Sequence, residues 1–360
     1  MSEYGRDLAE FRSRVQTVIA SVLRQEERLL THISADLVPL SEALDEFLSG
    51  GKRLRPAFCY WGWRGAGGDA SNPALDEAAI RASASLEFLQ ACALIHDDVM
   101  DCSDTRRGRP AVHHRFASLH RESEWLGSPE TFGVGSAILL GDLCLSWADQ
   151  MLLTSGMSAD ALGRAKVVYD EMRTELMAGQ YLDLLEQARG GGSIERALRV
   201  VQYKSAKYTI ERPLHIGAAL AGASPQLTDA YTAYGLPLGE AFQMRDDVLG
   251  VFGDPKETGK PAGDDLREGK RTVLIATALD RASAAQATII RTHLGDPDLD
   301  ATGLEALRSV IRDTGALAFV EQHIQARLDD ALAASASPLI EPVAQRFLTD
   351  LAHAATSRSV

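Results

Sequence analysis

Apolar residues recur at steps of three and four along most of the chain, the period of a helix face. The clearest run is residues 76–96, DEAAIRASASLEFLQACALIH. It holds no Gly or Pro, and Ala79, Ser83, Leu86, Gln90 and Ala93 share one stripe. Similar runs cover 7–34, 135–152, 158–188, 194–222, 227–251, 271–292 and 303–333, and 338–355 reads as a last helix. Segments alternating in Val, Ile and Thr between turns are almost absent, so the pattern predicts no sheet. Several runs are apolar on nearly every side, as helices inside a large bundle are.

The breaks fall at 49–51, 64–72, 106–110, 123–130, 189–193, 253–269 and 295–303, where Gly, Pro and polar residues gather. None reads as an interdomain linker. The expectation is one all-α domain over residues 1–360. Two connections, around 104–134 and 253–269, are long for a bundle, and long loops are often functional.

The bulk numbers narrow the function. With 360 residues, 45% hydrophobic and 24% charged, the chain buries a large core. A net charge of -13 argues against nucleic-acid binding, which needs clustered Lys and Arg. Cys59, Cys92, Cys102 and Cys144 form no C-x-x-C pair, so neither a zinc site nor a disulfide framework is expected. Free thiols fit a reducing, cytoplasmic setting. The opening MSEYGRDLAEFRSRV lacks the apolar core of a signal peptide. No stretch approaches about 18 uninterrupted apolar residues, so no membrane span is expected.

Two acidic centres stand out. The first is His96-Asp97-Asp98-Val99-Met100-Asp101, at the C-terminal end of an apolar run. Asp97 and Asp101, four apart, share a helical face, where like charges repel and the helix C-terminus disfavours them further. A divalent cation accounts for carboxylates at so costly a place, since oxygen-rich sites suit magnesium. A solvated acidic helix end is the plain alternative. The second centre, Asp246-Asp247, closes another apolar run. Two such centres could clamp one diphosphate through magnesium from opposite sides. Basic residues also gather at helix ends and Gly-containing loops: Lys52, Arg53 and Arg55; Arg106, Arg107 and Arg109; Lys204 and Lys207; Lys260; Lys270 and Arg271. Arg offers phosphate a planar fork and Lys a mobile point charge.

In this order GGKRLRP (50–56), HDDVMD with RRGRP (96–101 and 106–110), GQYLD (179–183), KSAKYT (204–209), FQMRDD (242–247) and TGK with EGKRT (258–272) resemble the blocks of the trans-isoprenyl diphosphate synthases, the polyprenyl synthetase family. The resemblance runs from Leu48 to Thr272. It implies the isoprenoid synthase fold, roughly ten mostly antiparallel helices around a deep central cavity, as a homodimer. The reaction implied is magnesium-dependent condensation of an allylic diphosphate (dimethylallyl, geranyl or farnesyl) with isopentenyl diphosphate, with about three Mg2+ ions per active site.

By motif, Asp97, Asp98, Asp101 and Asp246 resemble the metal ligands, with Asp247 in the same shell. Arg106, Lys204 and Lys260 resemble contacts to the allylic diphosphate. Lys52, Arg55, Gln90 and Arg107 resemble the isopentenyl diphosphate site. Gln243 and Ser205 resemble supports near the reacting carbons, and Lys270 the lysine that closes over the diphosphate. One departure is Gly250, where the family's second centre carries a third Asp; Asp254, Asp264 or Asp265 could cover that loss. Another is Ser205 in place of the commoner Thr.

Family members that stop at farnesyl carry bulky aromatics four or five residues before the first Asp. Here those positions are Ala93 and Cys92. Phe88 and Leu89, one turn deeper, then become the expected floor, which points to geranylgeranyl (C20) as product; longer chains are the alternative if those two face away, since Ser85 below them is small. The competing readings are a terpene cyclase of the same helical class, which would not need GGKRLRP, and a partner subunit of a heteromeric synthase, a class that usually loses the first Asp motif.

Overall fold

A computed structural model describes residues 3–253 and 263–356. In chain order the helices are α1 (Glu3–Ile33), α2 (Val38–Leu48), α3 (Leu54–Gly65), α4 (Pro73–Met100), α5 (Val112–Glu122), α6 (Pro129–Leu153) and α7 (Ala159–Arg189). Next come α8 (Ile194–Val200), a π-helix (Val201–Glu211) and α9 (Arg212–Ala221), which join end to end. After these run α10 (Pro225–Phe252), α11 (Asp264–Arg267), α12 (Val273–Arg281), α13 (Ala284–His293), α14 (Ala301–Asp313), α15 (Ala316–Ser335) and α16 (Pro342–Thr356).

The long helices start where the sequence supplies a cap. Asn72, Ser128, Ser158 and Ser224 each accept a bond from a first-turn N–H of α4, α6, α7 and α10. Such a cap contributes about 1 kcal/mol. In three of the four a proline follows at the first helical position, where its missing N–H costs nothing.

The all-α expectation holds, with local corrections. The run 271–292 divides into α12 and α13 at Ala282 and Ser283, and 303–333 divides into α14 and α15 at Thr314 and Gly315. The supposed long connection 104–134 contains α5. It also contains a two-strand hairpin, β1 (Thr105–Arg106) paired antiparallel with β2 (Arg109–Pro110), although no sheet was expected. Its loop residues Arg107 and Gly108 both have positive φ, +54° and +74°. A two-residue loop in that conformation matches the right-handed twist of the strands.

Buried apolar side chains form two clusters. One joins α1 to α7, α9 and α16; the other joins α8 with α12 to α15. The helix α10 belongs to both, with Tyr231, Tyr234 and Leu238 in the first and Met244, Val248 and Val251 in the second. Among the described residues two helices, α4 and α6, are long and apolar enough to cross a membrane. Their apolar windows are 78% and 39% buried within the fold, so α4 is a core helix and α6 keeps an uncovered face.

Candidate active site

The last turn of α4 and the residue that caps it carry the first acidic centre. Asp97 accepts from Gln180 Nε2 of α7 at 2.9 Å and from Lys204 Nζ at 3.1 Å. Lys204 also donates to Asp183 at 2.6 Å. Burial would raise the Asp97 carboxyl, but Lys204, Lys270 and Arg106 outweigh it and hold it at about 2. Asp98 is fully buried and takes Arg106 Nε at 2.9 Å. Asp101 differs: its side chain is 1% exposed, and neither oxygen has a hydrogen-bond partner. Burial lifts it to about 6 against the opposing pull of Lys270, 3.3 Å away.

The opposite wall is the π-helix. Its hydrogen-bonded rings hold one more residue than those of an α-helix, a winding that recurs at functional sites. It turns Lys204, Ser205, Tyr208 and Thr209 into one cavity. Neighbouring helices can approach it because they present glycine. A Cβ on Gly179 of α7 would lie 2.7 Å from the Tyr203 carbonyl carbon, and one on Gly239 of α10 would lie 2.7 Å from Ala206 Cβ. On the outer side, Lys207 pairs with Glu175 at 2.9 Å and Arg212 grips the same carboxylate at 2.7 Å, tying the segment to α7.

The second centre sits on α10. Gln243 donates to Asp247 at 2.8 Å, but burial dominates and, with Asp265 and Asp246 nearby, pushes Asp247 up to about 8. From the far side comes Lys270, whose Nζ is 3.3 Å from Asp101 and 3.6 Å from Asp265 and also pairs with Glu268. Ser103 donates to Glu268 at 2.6 Å.

A cationic pocket adjoins both centres. Buried Arg53 anchors the GGKR turn to Glu87, Gln16 and the Leu48 carbonyl. Arg55 stacks over the Tyr208 ring at 4.3 Å and donates to Thr209 at 2.7 Å. The Tyr208 hydroxyl in turn donates to Gln90 at 2.8 Å. Arg107 makes no ion pair among the described residues. Burial, together with Arg53, Arg106 and Arg55, lowers its affinity for its proton. Arg55 and Arg107, neither in an ion pair among the described residues, suit this pocket to an anion.

These features enclose one cavity of about 650 Å³. Of the residues singled out from the sequence, Lys52, Arg55, Gln90, Ala93, Asp97, Arg106, Arg107, Lys204, Ser205, Gln243, Asp246, Asp247 and Lys270 line it. Asp98 and Asp101 lie behind that lining. Lys260 and Asp254 fall outside the described residues. The expected floor is not on the wall. Phe88, Leu89 and Cys92 are core residues, and Phe88 packs edge-on against Trp147 of α6. The cavity stripe of α4 passes instead through Asp97, Leu94, Ala93, Gln90 and Glu87. Roles for Gln180, Asp183, Tyr208 and Glu268 were missed, although GQYLD and KSAKYT contain three of the four.

All donors of the two centres are oxygens, which suits magnesium, and the buried Asp101 carboxylate, with Lys270 at 3.3 Å but no hydrogen bond, is the kind of group a cation would satisfy. Among the described residues no three acidic, His or Cys side chains enclose an ion by themselves.

Comparison with known proteins agrees with this geometry. The sequence model named polyprenyl synthetase matches residues 38–311. The chain is 35% identical over 276 residues to a geranylfarnesyl diphosphate synthase of Aeropyrum pernix, covering 76% of this chain and 79% of that one. It is 31% identical over 287 residues to a geranylgeranyl diphosphate synthase of Mycobacterium tuberculosis, covering 79% and 75%. A crystal structure of geranylgeranyl pyrophosphate synthase from Corynebacterium glutamicum, complexed with isoprenyl diphosphate and magnesium, superposes with a TM-score of 0.93 at 44% identity, over 98% of this chain and 99% of that one. Sequence blocks, helical architecture and the two facing acidic centres therefore place this chain in the polyprenyl synthetase family.

Proposed function

We propose that this single-domain chain is a magnesium-dependent prenyl diphosphate synthase joining isopentenyl diphosphate to an allylic diphosphate, with geranylgeranyl diphosphate as main product. The observation that carries the reading is the pairing of two acidic centres, on α4 and α10, across one cavity that also holds Arg55 and Arg107, two guanidinium groups with no ion pair among the described residues. Asp97, Asp98, Asp101 and Asp246 would hold the metal, with Asp247 beside them. Bound magnesium supplies Lewis-acid stabilisation of the charge that develops on the departing diphosphate.

Arg106 and Lys204 hold the allylic diphosphate, and Lys270 closes over it. Lys52, Arg55 and Arg107 hold the second diphosphate, with Gln90 at the same end. Leu94, Leu176 and Phe242 keep water from the allylic cation. The C1–O bond breaks with its electron pair going to diphosphate. The double bond of isopentenyl diphosphate then attacks C1, and a proton leaves to the released diphosphate. His96 is not the base: its Nε2 lies 3.1 Å from the Ile138 carbonyl and its Nδ1 faces the Cys92 thiol, away from the cavity.

Ala93, the small wall residue four positions before Asp97, leaves room for a product longer than farnesyl, and the C20 product is supported by the likeness to the geranylgeranyl synthase of 44% identity. The relatives span farnesyl, geranylgeranyl and geranylfarnesyl synthases, so the family alone leaves the length open. A second copy of the chain is proposed to cover the apolar face of α6, where Phe132, Val134, Ile138 and Leu139 are exposed.

Incubation with farnesyl and isopentenyl diphosphates and Mg2+, followed by chromatography of the dephosphorylated alcohols, tests the proposal. A C20 alcohol is expected. No condensation at all overturns the activity, and a product of C15 or shorter overturns the length.

A further inference from the structure

The second acidic centre is one carboxylate short on its own helix. Gly250 stands on α10 one turn after Asp246, where a third acidic side chain would share the Asp246 face. The space is not empty. A Cβ built on Gly250 would stand 2.6 Å from Asp265 Cγ and would overlap its Oδ2. The carboxylate of Asp265, carried by α11, therefore fills the volume into which a side chain at 250 would grow.

Three further observations point the same way. Asp265 lines the cavity together with Asp246 and Asp247. Its negative charge is felt by Asp247. The Lys270 ammonium lies between Asp265 at 3.6 Å and Asp101 at 3.3 Å, so one cation already joins the first centre to Asp265. Asp101, the first-centre member of that link, is buried with neither oxygen hydrogen-bonded.

We infer that Asp265 supplies, from α11, the carboxylate that α10 lacks at position 250, and that Gly250 is required because Asp265 occupies its side-chain space. The inference rests on the magnesium-dependent reading above. Asp265 becomes a ligand or a water-bridged neighbour of the metal on the α10 side, and the absence of a third Asp on that helix is a relocation of the charge.

The test measures Mn2+ binding to the full chain by the loss of the free-ion EPR signal, with inorganic diphosphate present. Melting in EDTA confirms that each variant folds, and Asp265→Asn, which keeps the side-chain size, covers the case in which Asp265→Ala does not. Asp265→Asn and Asp265→Ala are expected to weaken Mn2+ binding about tenfold or more. Gly250→Asp combined with Asp265→Ala returns a carboxylate to the same volume from the other element, and is expected to recover most of that loss. Wild-type Mn2+ affinity in Asp265→Asn, with affinity lost in Asp97→Ala, overturns the inference and leaves the metal-dependent reading standing. Loss in Asp265→Ala without recovery in the double variant also overturns it, because a merely structural Asp265 behaves that way. Wild-type affinity in Asp97→Ala overturns the metal-dependent reading itself.

Discussion

The Lys204 ammonium lies 3.1 Å from the Asp97 carboxylate, a pair 107 residues apart in sequence that joins α4 to the π-helix. Asp97 is thus not the destabilising charge that its place at a helix end implies. Its carboxyl, held at about 2 against an ordinary value of 3.8, stabilises the fold above pH ~4 and loses that contribution as pH falls from ~4 to ~2. Asp97→Ala should therefore lower ligand-free stability at pH 7 by about 2 kcal/mol and cut turnover by orders of magnitude. Denaturant titration in EDTA checks the first part, and an unchanged midpoint contradicts it.

Asp247 behaves in the opposite sense. Its folded-state value of about 8 lies far above that of the unfolded chain. Between pH ~4 and ~8 the folded state holds a proton that the unfolded state has released, so stability falls as pH rises through that window. Asp247→Asn removes this cost. It should raise the melting temperature of the metal-free protein at pH 8 and do so less at pH 5. A rise of equal size at both pH values would refute the assignment.

Lys270 competes with any cation for Asp101 and Asp265. Without diphosphate to draw the ammonium away, metal should bind weakly. Lys270→Met should tighten Mn2+ binding several-fold in the absence of diphosphate and weaken binding of diphosphate itself. Equal or weaker Mn2+ affinity in the variant would show that the lysine does not hold the metal's place.

Ala93 and Cys92 are neighbours in sequence on different faces of α4. Ala93→Phe adds bulk to the cavity wall and should shorten the product to farnesyl. Cys92→Phe overpacks the core beside α6 and should cost about 1–3 kcal/mol while leaving product length unchanged. Chromatography of the product alcohols and melting curves separate the two. A shortened product from Cys92→Phe alone would reverse the assigned faces.

Much of the site was legible in advance because the chemistry is concentrated in short blocks. Asp97, Arg106, Lys204 and Asp246 announce themselves by charge within short motif blocks. What escaped was set by partners far away in the chain. The neutralisation of Asp97 depends on Lys204, and the relief of Gly250 on Asp265; local spacing carries neither. The phase of α4 escaped because the helix is buried nearly all round, so no polar stripe marks which side faces the cavity. The helix α3 was hidden by Pro56, Gly62 and Gly65 and by its aromatics, which lower helix propensity, while burial on almost every side holds it in place.

The π-helix has a consequence for the chain's tolerance of insertions and deletions. Lys204, Ser205, Tyr208 and Thr209 face one cavity from Val201–Glu211, a segment that is wound wide. Deleting one residue lets the segment rewind as an α-helix, each residue of which turns by about 100°. The residues before the deletion would then be rotated against α9, and either Lys204 leaves Asp97 or Thr209 leaves Arg55. Most single substitutions along the outer stripe leave that phase intact. Over these eleven residues length is under tighter constraint than identity, and natural variants of the chain should differ here by exchange of residues and not by their number.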